Sequence, residues 1–126
     1  AKCSLGFTEA LLRGIGCNWL GCLAVFAAAA STETIGKIAA LWFPTMAFVA
    51  LGMEHCIANM FFIPLGILTG TDPRYIALAE AGKAAALKAD FYSFVAGNLV
   101  PVTIGNIIGG SVLVGMLYLA ANIKKA

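Results

Sequence analysis

Glu54 and His55 are the residues best placed to do chemistry, adjacent to one another inside a long apolar run. An imidazole can donate a hydrogen bond to an anion, and its ordinary pKa of about 6.5 lets it exchange a proton around neutrality. Two readings follow. In one, the pair only ties off an interrupted backbone. In the other, His55 lines a permeation path, while Glu54 points elsewhere and bonds backbone amides. A helix starting at Cys56 would aim its N-terminal amides at the same place and make it an anion-handling site. Four amides, Asn18, Asn59, Asn98 and Asn106, also lie within apolar stretches. Each must face protein or water, and bonding between helices is the plain role for any one of them. Asn106, mid-span among glycines, is the best path-lining candidate. Phe48, seven residues before His55, either narrows a passage or packs in the core or against lipid. Lys2 is an interfacial lysine, either simply solvated or drawing anions inward. No hydrolase or kinase is indicated: there is one histidine, no G-x-S-x-G and no phosphate-binding loop.

The elements that would position these residues are membrane helices. Of the 126 residues, 61% are hydrophobic and only 11% charged, and the mean hydropathy is +0.93. Soluble domains carry roughly 25% charged residues, so this chain lacks the material for a water-facing surface, and a lipid-facing one needs none. A net charge of +2 without a basic, aromatic-interleaved run excludes nucleic acid as a partner. Cys3, Cys17, Cys22 and Cys56 form no C-x-x-C pair, which points to buried thiols and neither a metal nor a disulfide. The opening Ala1-Lys2-Cys3 has no signal-peptide layout and suggests a piece of a longer polypeptide.

Three apolar blocks are visible. Gly14 to Thr32 is uncharged between Arg13 and Glu33; as a helix it covers about 28 Å, one ordinary span. Ile38 to Thr71 is interrupted only by Glu54 and His55, and as one helix would measure about 51 Å, too long for a bilayer. Either the helix projects far out of the bilayer or it breaks near its middle, and a break at Gly52-Met53-Glu54-His55 is favoured because it resolves both anomalies. Glycine permits the turn, and ionisable groups and irregular backbone at that depth are tolerated only beside protein or water. A polar stretch from Asp72 to Asp90, with Arg74, Glu80, Lys83 and Lys88, reads as an amphipathic or loop segment outside the core. Phe91 to Ile123 is again too long for one span. Gly97-Asn98-Leu99-Val100-Pro101 is the expected divider, giving a partly buried lead-in and a span from Pro101 to Asn122, closed by Lys124 and Lys125. Gly105-x-x-x-Gly109 and Ser111-x-x-x-Gly115 set small residues along a helix face, permitting close packing. Three spans, the middle one broken, would form half of an inverted-repeat transporter and expose the face its other half covers.

The strings Gly14-Ile-Gly-Cys-Asn-Trp-Leu-Gly-Cys-Leu-Ala24, Gly52-Met-Glu-His-Cys-Ile-Ala-Asn-Met60 and Asn98-Leu-Val-Pro-Val-Thr-Ile-Gly-Asn-Ile-Ile-Gly-Gly110 resemble the formate/nitrite transporter family. The resemblance runs over nearly the whole chain and matches the family's fourth to sixth membrane segments, so residues 1–126 are expected to be its C-terminal half. It implies an all-α integral membrane fold, the second inverted repeat of an aquaporin-like six-span channel, in a homopentamer of the inner membrane. It also implies passage of small monovalent anions such as formate, nitrite, hydrosulfide or lactate, by channel or proton-coupled transport, with no cofactor and no enzyme activity. The partners are then the anion, the bilayer and the N-terminal half of the same protomer. Carried over to this sequence, His55 is the central pore histidine, Glu54 the motif glutamate, Asn106 the pore asparagine of the last span and Lys2 the lysine before the fourth. Phe48 and Ala58 match constrictions flanking the histidine. The family commonly has valine where this chain has Gly21, giving either a wider vestibule or a closer helix contact. The family pattern sets the Glu33–Lys37 loop and the C-terminus in the cytoplasm, against the local lysine and arginine count. The other classes are a structural or accessory subunit of a larger membrane complex, and a membrane enzyme with His55 as base, for which no partner nucleophile is visible.

Overall fold

The computed structural model describes residues 2–81 and 90–123, where every regular element is helical. A 3₁₀ turn at Lys2–Ser4 leads into α1 (Phe7–Ala30), α2 (Thr34–Ala50), α3 (Cys56–Thr69) and α4 (Pro73–Ala81). The last helix, α5, runs without interruption from Phe91 to Ile123. Lys83, Lys88, Lys124 and Lys125, and the side chain of Glu80, lie outside the described residues.

Among the described residues, two helices are long and apolar enough to cross a bilayer, α1 with 24 residues and α5 with 33. The expected interruption of the second block is present. α2 stops at Ala50 and α3 starts at Cys56, and between them Gly52 takes a φ of 65°, a conformation glycine adopts at little cost. The expected divider in the third block is not a break. Pro101 removes an amide and its ring crowds the carbonyl of Gly97; the helix absorbs this in a wider π-helical stretch, Val95–Leu99, and continues. A second π-helical stretch covers Ile108–Met116. Asp90 starts α5 with a reciprocal cap, accepting the Ser93 amide at 2.7 Å while its own amide donates to the Ser93 hydroxyl at 3.0 Å.

α1 is the hub, packing on α2 and along the middle of α5. Side-chain volume is scarce at the second contact: Ala10, Gly14 and Cys17 of α1 are buried, as are Val102, Gly105 and Gly109 of α5. A methyl group on Gly105 would collide with the Leu11 carbonyl, and one on Gly109 with that of Ile15. The first small-residue pair is therefore a true close-packing surface, whereas Ser111 and Gly115 of the second face outward. α2 buries no residue. Its outer face forms an apolar groove of about 600 Å³ lined by Ile38, Leu41, Trp42, Thr45, Met46, Val49 and Ala50. Trp42, Phe43, Phe61, Phe62 and Leu68 are all more than half exposed, a surface suited to lipid or to further protein and not to water.

Two outcomes follow. Gly105→Ala and Gly109→Ala should each lower thermal stability by about 1–3 kcal/mol, since the clash is with backbone. Gly110→Ala, whose methyl would meet the Cys22 thiol and the Asn18 side-chain amide, should cost less. Melting of the full-length protein in detergent tests this, and equal losses at Gly105 and Gly110 would contradict it. The second concerns Asp90, whose carboxyl the Ser93 bonds hold below its ordinary value of 3.8. A depressed carboxylate contributes stability that is complete above that ordinary value and is lost as pH falls through the lower folded value. The Ser93 amide resonance should therefore titrate with a midpoint below 3.8 in the wild type and show no such midpoint in Asp90→Asn. A midpoint at or above the ordinary value would contradict the cap.

Candidate functional site

The break brings donors from three other elements together around Glu54, whose side chain is only 3% exposed. Its Oε1 takes an ion pair from Lys2 Nζ at 2.9 Å. Its Oε2 accepts from Asn59 Nδ2 at 2.6 Å and from Asn98 Nδ2 at 3.1 Å. Asn59 also donates to Asn98 Oδ1 at 2.7 Å, and Asn98 donates to the Lys2 carbonyl at 3.1 Å. A buried carboxylate is tolerated when every lone pair is matched, and here one cation and two amides match it. Two expectations are corrected. Glu54 does not bond backbone amides with its carboxylate; it collects side-chain donors. Lys2 is not a free interfacial cation, because its ammonium is committed to Glu54. Among the described residues, Asn59 Oδ1 is the buried side-chain atom left without a hydrogen-bond partner.

Asn106, 3% exposed, closes a second set of bonds one layer away. Its Nδ2 donates to the carbonyls of Gly14 at 2.9 Å and Glu54 at 3.0 Å, and its Oδ1 accepts the Cys56 amide at 2.9 Å. Asn18 Nδ2 in turn donates to the Asn106 carbonyl at 2.8 Å. One amide thus serves α1, the break and the first turn of α3 simultaneously. Asn18, Asn59, Asn98 and Asn106 all bond to other parts of the chain, which is the plain role expected of them.

His55 occupies the N-cap of α3, and its Nδ1 accepts the Ile57 amide at 3.2 Å. An imidazole nitrogen that accepts a hydrogen bond carries no proton, so the ring proton sits on Nε2. The side chain is half-buried, and Nε2–H is the ring's one remaining donor. Phe48 lies beside it with ring centroids 6.3 Å apart, and Ala58 is half-buried one turn further on. The amides expected to greet an anion are partly engaged: Cys56 N goes to Asn106 and Ile57 N to His55. Gly21 is not at a close helix contact; an added methyl would meet only Asn18 Oδ1, at 3.8 Å.

A helix interrupted at a buried polar cluster, in a chain otherwise clothed in apolar side chains, is an arrangement that helical membrane proteins use. The solved structures it resembles are of that kind. It superposes on a pentameric formate channel with formate bound with a TM-score of 0.83 at 36% identity, covering 97% of this chain and 49% of that one. A channel described as an FNT family ion channel matches with a TM-score of 0.72 at 31% identity, over 95% of this chain and 42% of the other. The chain belongs to the formate/nitrite transporter family, whose model matches residues 1–120. It is 45% identical over 122 residues to a probable formate transporter from Methanothermobacter thermautotrophicus, covering 97% of this chain and 38% of the relative. It is 40% identical over 121 residues to the formate channel FocB from Escherichia coli (strain K12), over 94% and 43% respectively. The chain therefore spans about two fifths of the length of these relatives. Members of the family are channels and not enzymes.

The cluster predicts a graded response to substitution. Glu54→Ala strands the Lys2 cation and two buried amides and should destabilise the full-length protein by about 3–5 kcal/mol, the cost of breaking a buried pair. Asn106→Asp keeps the acceptor for Cys56 but sets a carboxylate against two carbonyls, and should be comparably severe. Asn106→Gln and Glu54→Gln should lose less. Thermal unfolding in lipid nanodiscs checks the order; a Glu54→Ala variant as stable as wild type would refute the account of the cluster.

Proposed function

We propose that the chain is one half of a transmembrane channel or transporter for small monovalent anions, of which formate, nitrite and hydrosulfide are the candidates. In this reading its α1, the α2–α3 pair and α5 are the three membrane segments of one inverted repeat, and the other half of the same protomer covers the exposed apolar faces. The assembly is a homopentamer, multi-pass in the inner membrane, with the path running past Phe48, His55 and Ala58. Formate and the pentamer are named for the structure with TM-score 0.83, and the present chain fits half of such a protomer.

The observation that carries the reading is the cap at His55. A bare anion crossing a constriction of low dielectric meets a barrier of several kcal/mol. A neutral imidazole held by its own Nδ1 at the start of a helix offers one fixed donor, Nε2–H, in the positive end of the helix dipole. That arrangement stabilises an oxyanion or a thiolate-like anion without adding a permanent charge that would trap it. The ammonium of Lys2, paired with Glu54, and the amide of Asn106, bonded to backbone, hold this geometry in place.

Formate, nitrite and hydrosulfide uptake into proteoliposomes across about pH 5 to 8 tests the proposal with the full-length protein. His55→Ala should lower formate uptake by on the order of tenfold or more, while His55→Asn, which keeps both a cap acceptor and a donor, should lose less. An alanine variant with wild-type uptake would sink the donor role.

A further inference from the structure

Breaking a helix in an apolar setting strips partners from backbone groups, and each one left unpaired costs about 1–3 kcal/mol. At this break the first amides find local partners. Leu51, Gly52 and Met53 donate back to the carbonyls of Ala47, Val49 and Phe48. Two groups do not. The Gly52 carbonyl, swung away by a φ of 65°, and the Glu54 amide both turn to α1. Both reach the same residue: Arg13 Nη1 donates to the Gly52 carbonyl at 2.9 Å, and the Arg13 carbonyl accepts the Glu54 amide at 3.3 Å. The other arm of the guanidinium, Nη2, is fixed by Glu9 Oε1 at 2.7 Å, one helical turn earlier. The next residue, Gly14, takes Asn106 with its carbonyl, and Asn106 holds the Cys56 amide.

We infer that Arg13 is a positioning residue for His55, gripping both sides of Met53 so that the imidazole enters the N-cap of α3 with its Nδ1 towards Ile57. The inference extends the transport reading and names a residue that touches neither the anion nor His55. The chemistry requires arginine. A planar fork serves a carboxylate and a carbonyl in two fixed directions, whereas a lysine offers one mobile ammonium for both. Glu9 orients the fork from a solvent-exposed position and contributes less.

Two measurements on the full-length protein test it. The first is independent of transport: with 15N-labelled histidine, the His55 ring signals are assigned as those missing from His55→Ala. Wild type should show an unprotonated Nδ1. In Arg13→Met, and to a lesser degree in Arg13→Lys, that signature should shift towards a mixture of ring states, while Glu9→Gln stays close to wild type. An unchanged His55 spectrum in a pentameric Arg13 variant overturns the inference whatever the flux does. The second is a cycle of formate flux. Arg13→Met should lower flux on the order of ten- to hundredfold in a His55 background but less than about twofold when His55 is already alanine, because one residue acts through the other. An equal loss in both backgrounds marks a merely structural role and overturns the inference. Should Arg13→Met not assemble, Arg13→Lys carries both readings under the same criteria. A shifted spectrum with wild-type flux in His55→Ala would instead refute the donor role and support the positioning.

Discussion

The structure depends on one constraint: a carboxylate that is 3% exposed must have its charge and lone pairs matched. Glu54 meets it with donors from three elements, Lys2 in the opening 3₁₀ turn, Asn59 in α3 and Asn98 in the π-helical stretch of α5. Their separations along the chain, 52, 5 and 44 residues, show what the charge accomplishes. It draws the start of the chain, the second half-helix and the last helix to a single point, at the depth where the middle helix stops. Apolar packing alone would not choose that point, because dispersion between small side chains in lipid has little directionality. The polar cluster fixes position; the glycine contact of α1 with α5 fixes distance.

Around that point the backbone is satisfied group by group. The carbonyls of Gly14 and Glu54 and the amide of Cys56 converge on Asn106, and the Gly52 carbonyl and Glu54 amide converge on Arg13. Five backbone groups thus rely on two residues. A break that would otherwise cost several kcal/mol in low dielectric becomes a rigid junction, and its rigidity is what gives the His55 ring one orientation.

Much of this was legible in the sequence, and the reasons are physical. An apolar block too long for a bilayer, with Gly52, Glu54 and His55 at its centre, favours a break there over a helix projecting from the bilayer, and the break is present. The amides in apolar stretches had to find partners, and all four did. The identity of those partners was hidden. That Glu54 would take Lys2 and two asparagines instead of backbone amides follows from topology, since nothing local links residue 54 to residue 2 or 98. Arg13 read as a charge marking the end of a span, because a guanidinium reaching across to the carbonyl of Gly52 leaves no periodic trace. Pro101 was expected to divide the last block. Propensity supported that reading, but the helix had a second option, a π turn wide enough to clear the Gly97 carbonyl, and close packing of Gly105 and Gly109 on α1 favours a continuous rod.

The cap at His55 bears on the two ways in which a histidine could help an anion across. Donating the Nε2 proton outright from a neutral ring leaves an imidazolate, a base far too strong to persist there. Proton donation therefore requires a second proton to arrive at Nδ1, and Nδ1 is occupied by the amide of Ile57. The cap and the protonated ring exclude each other at that nitrogen. In the arrangement observed, His55 accepts the Ile57 amide at Nδ1, and any route by which the ring transfers a proton must first free that nitrogen from the opening turn of α3. Because Cys56, the first residue of that turn, is held by Asn106 and the break before it by Arg13, proton transfer would be coupled to movement at the whole junction, whereas passage of a hydrogen-bonded anion leaves the junction as it stands.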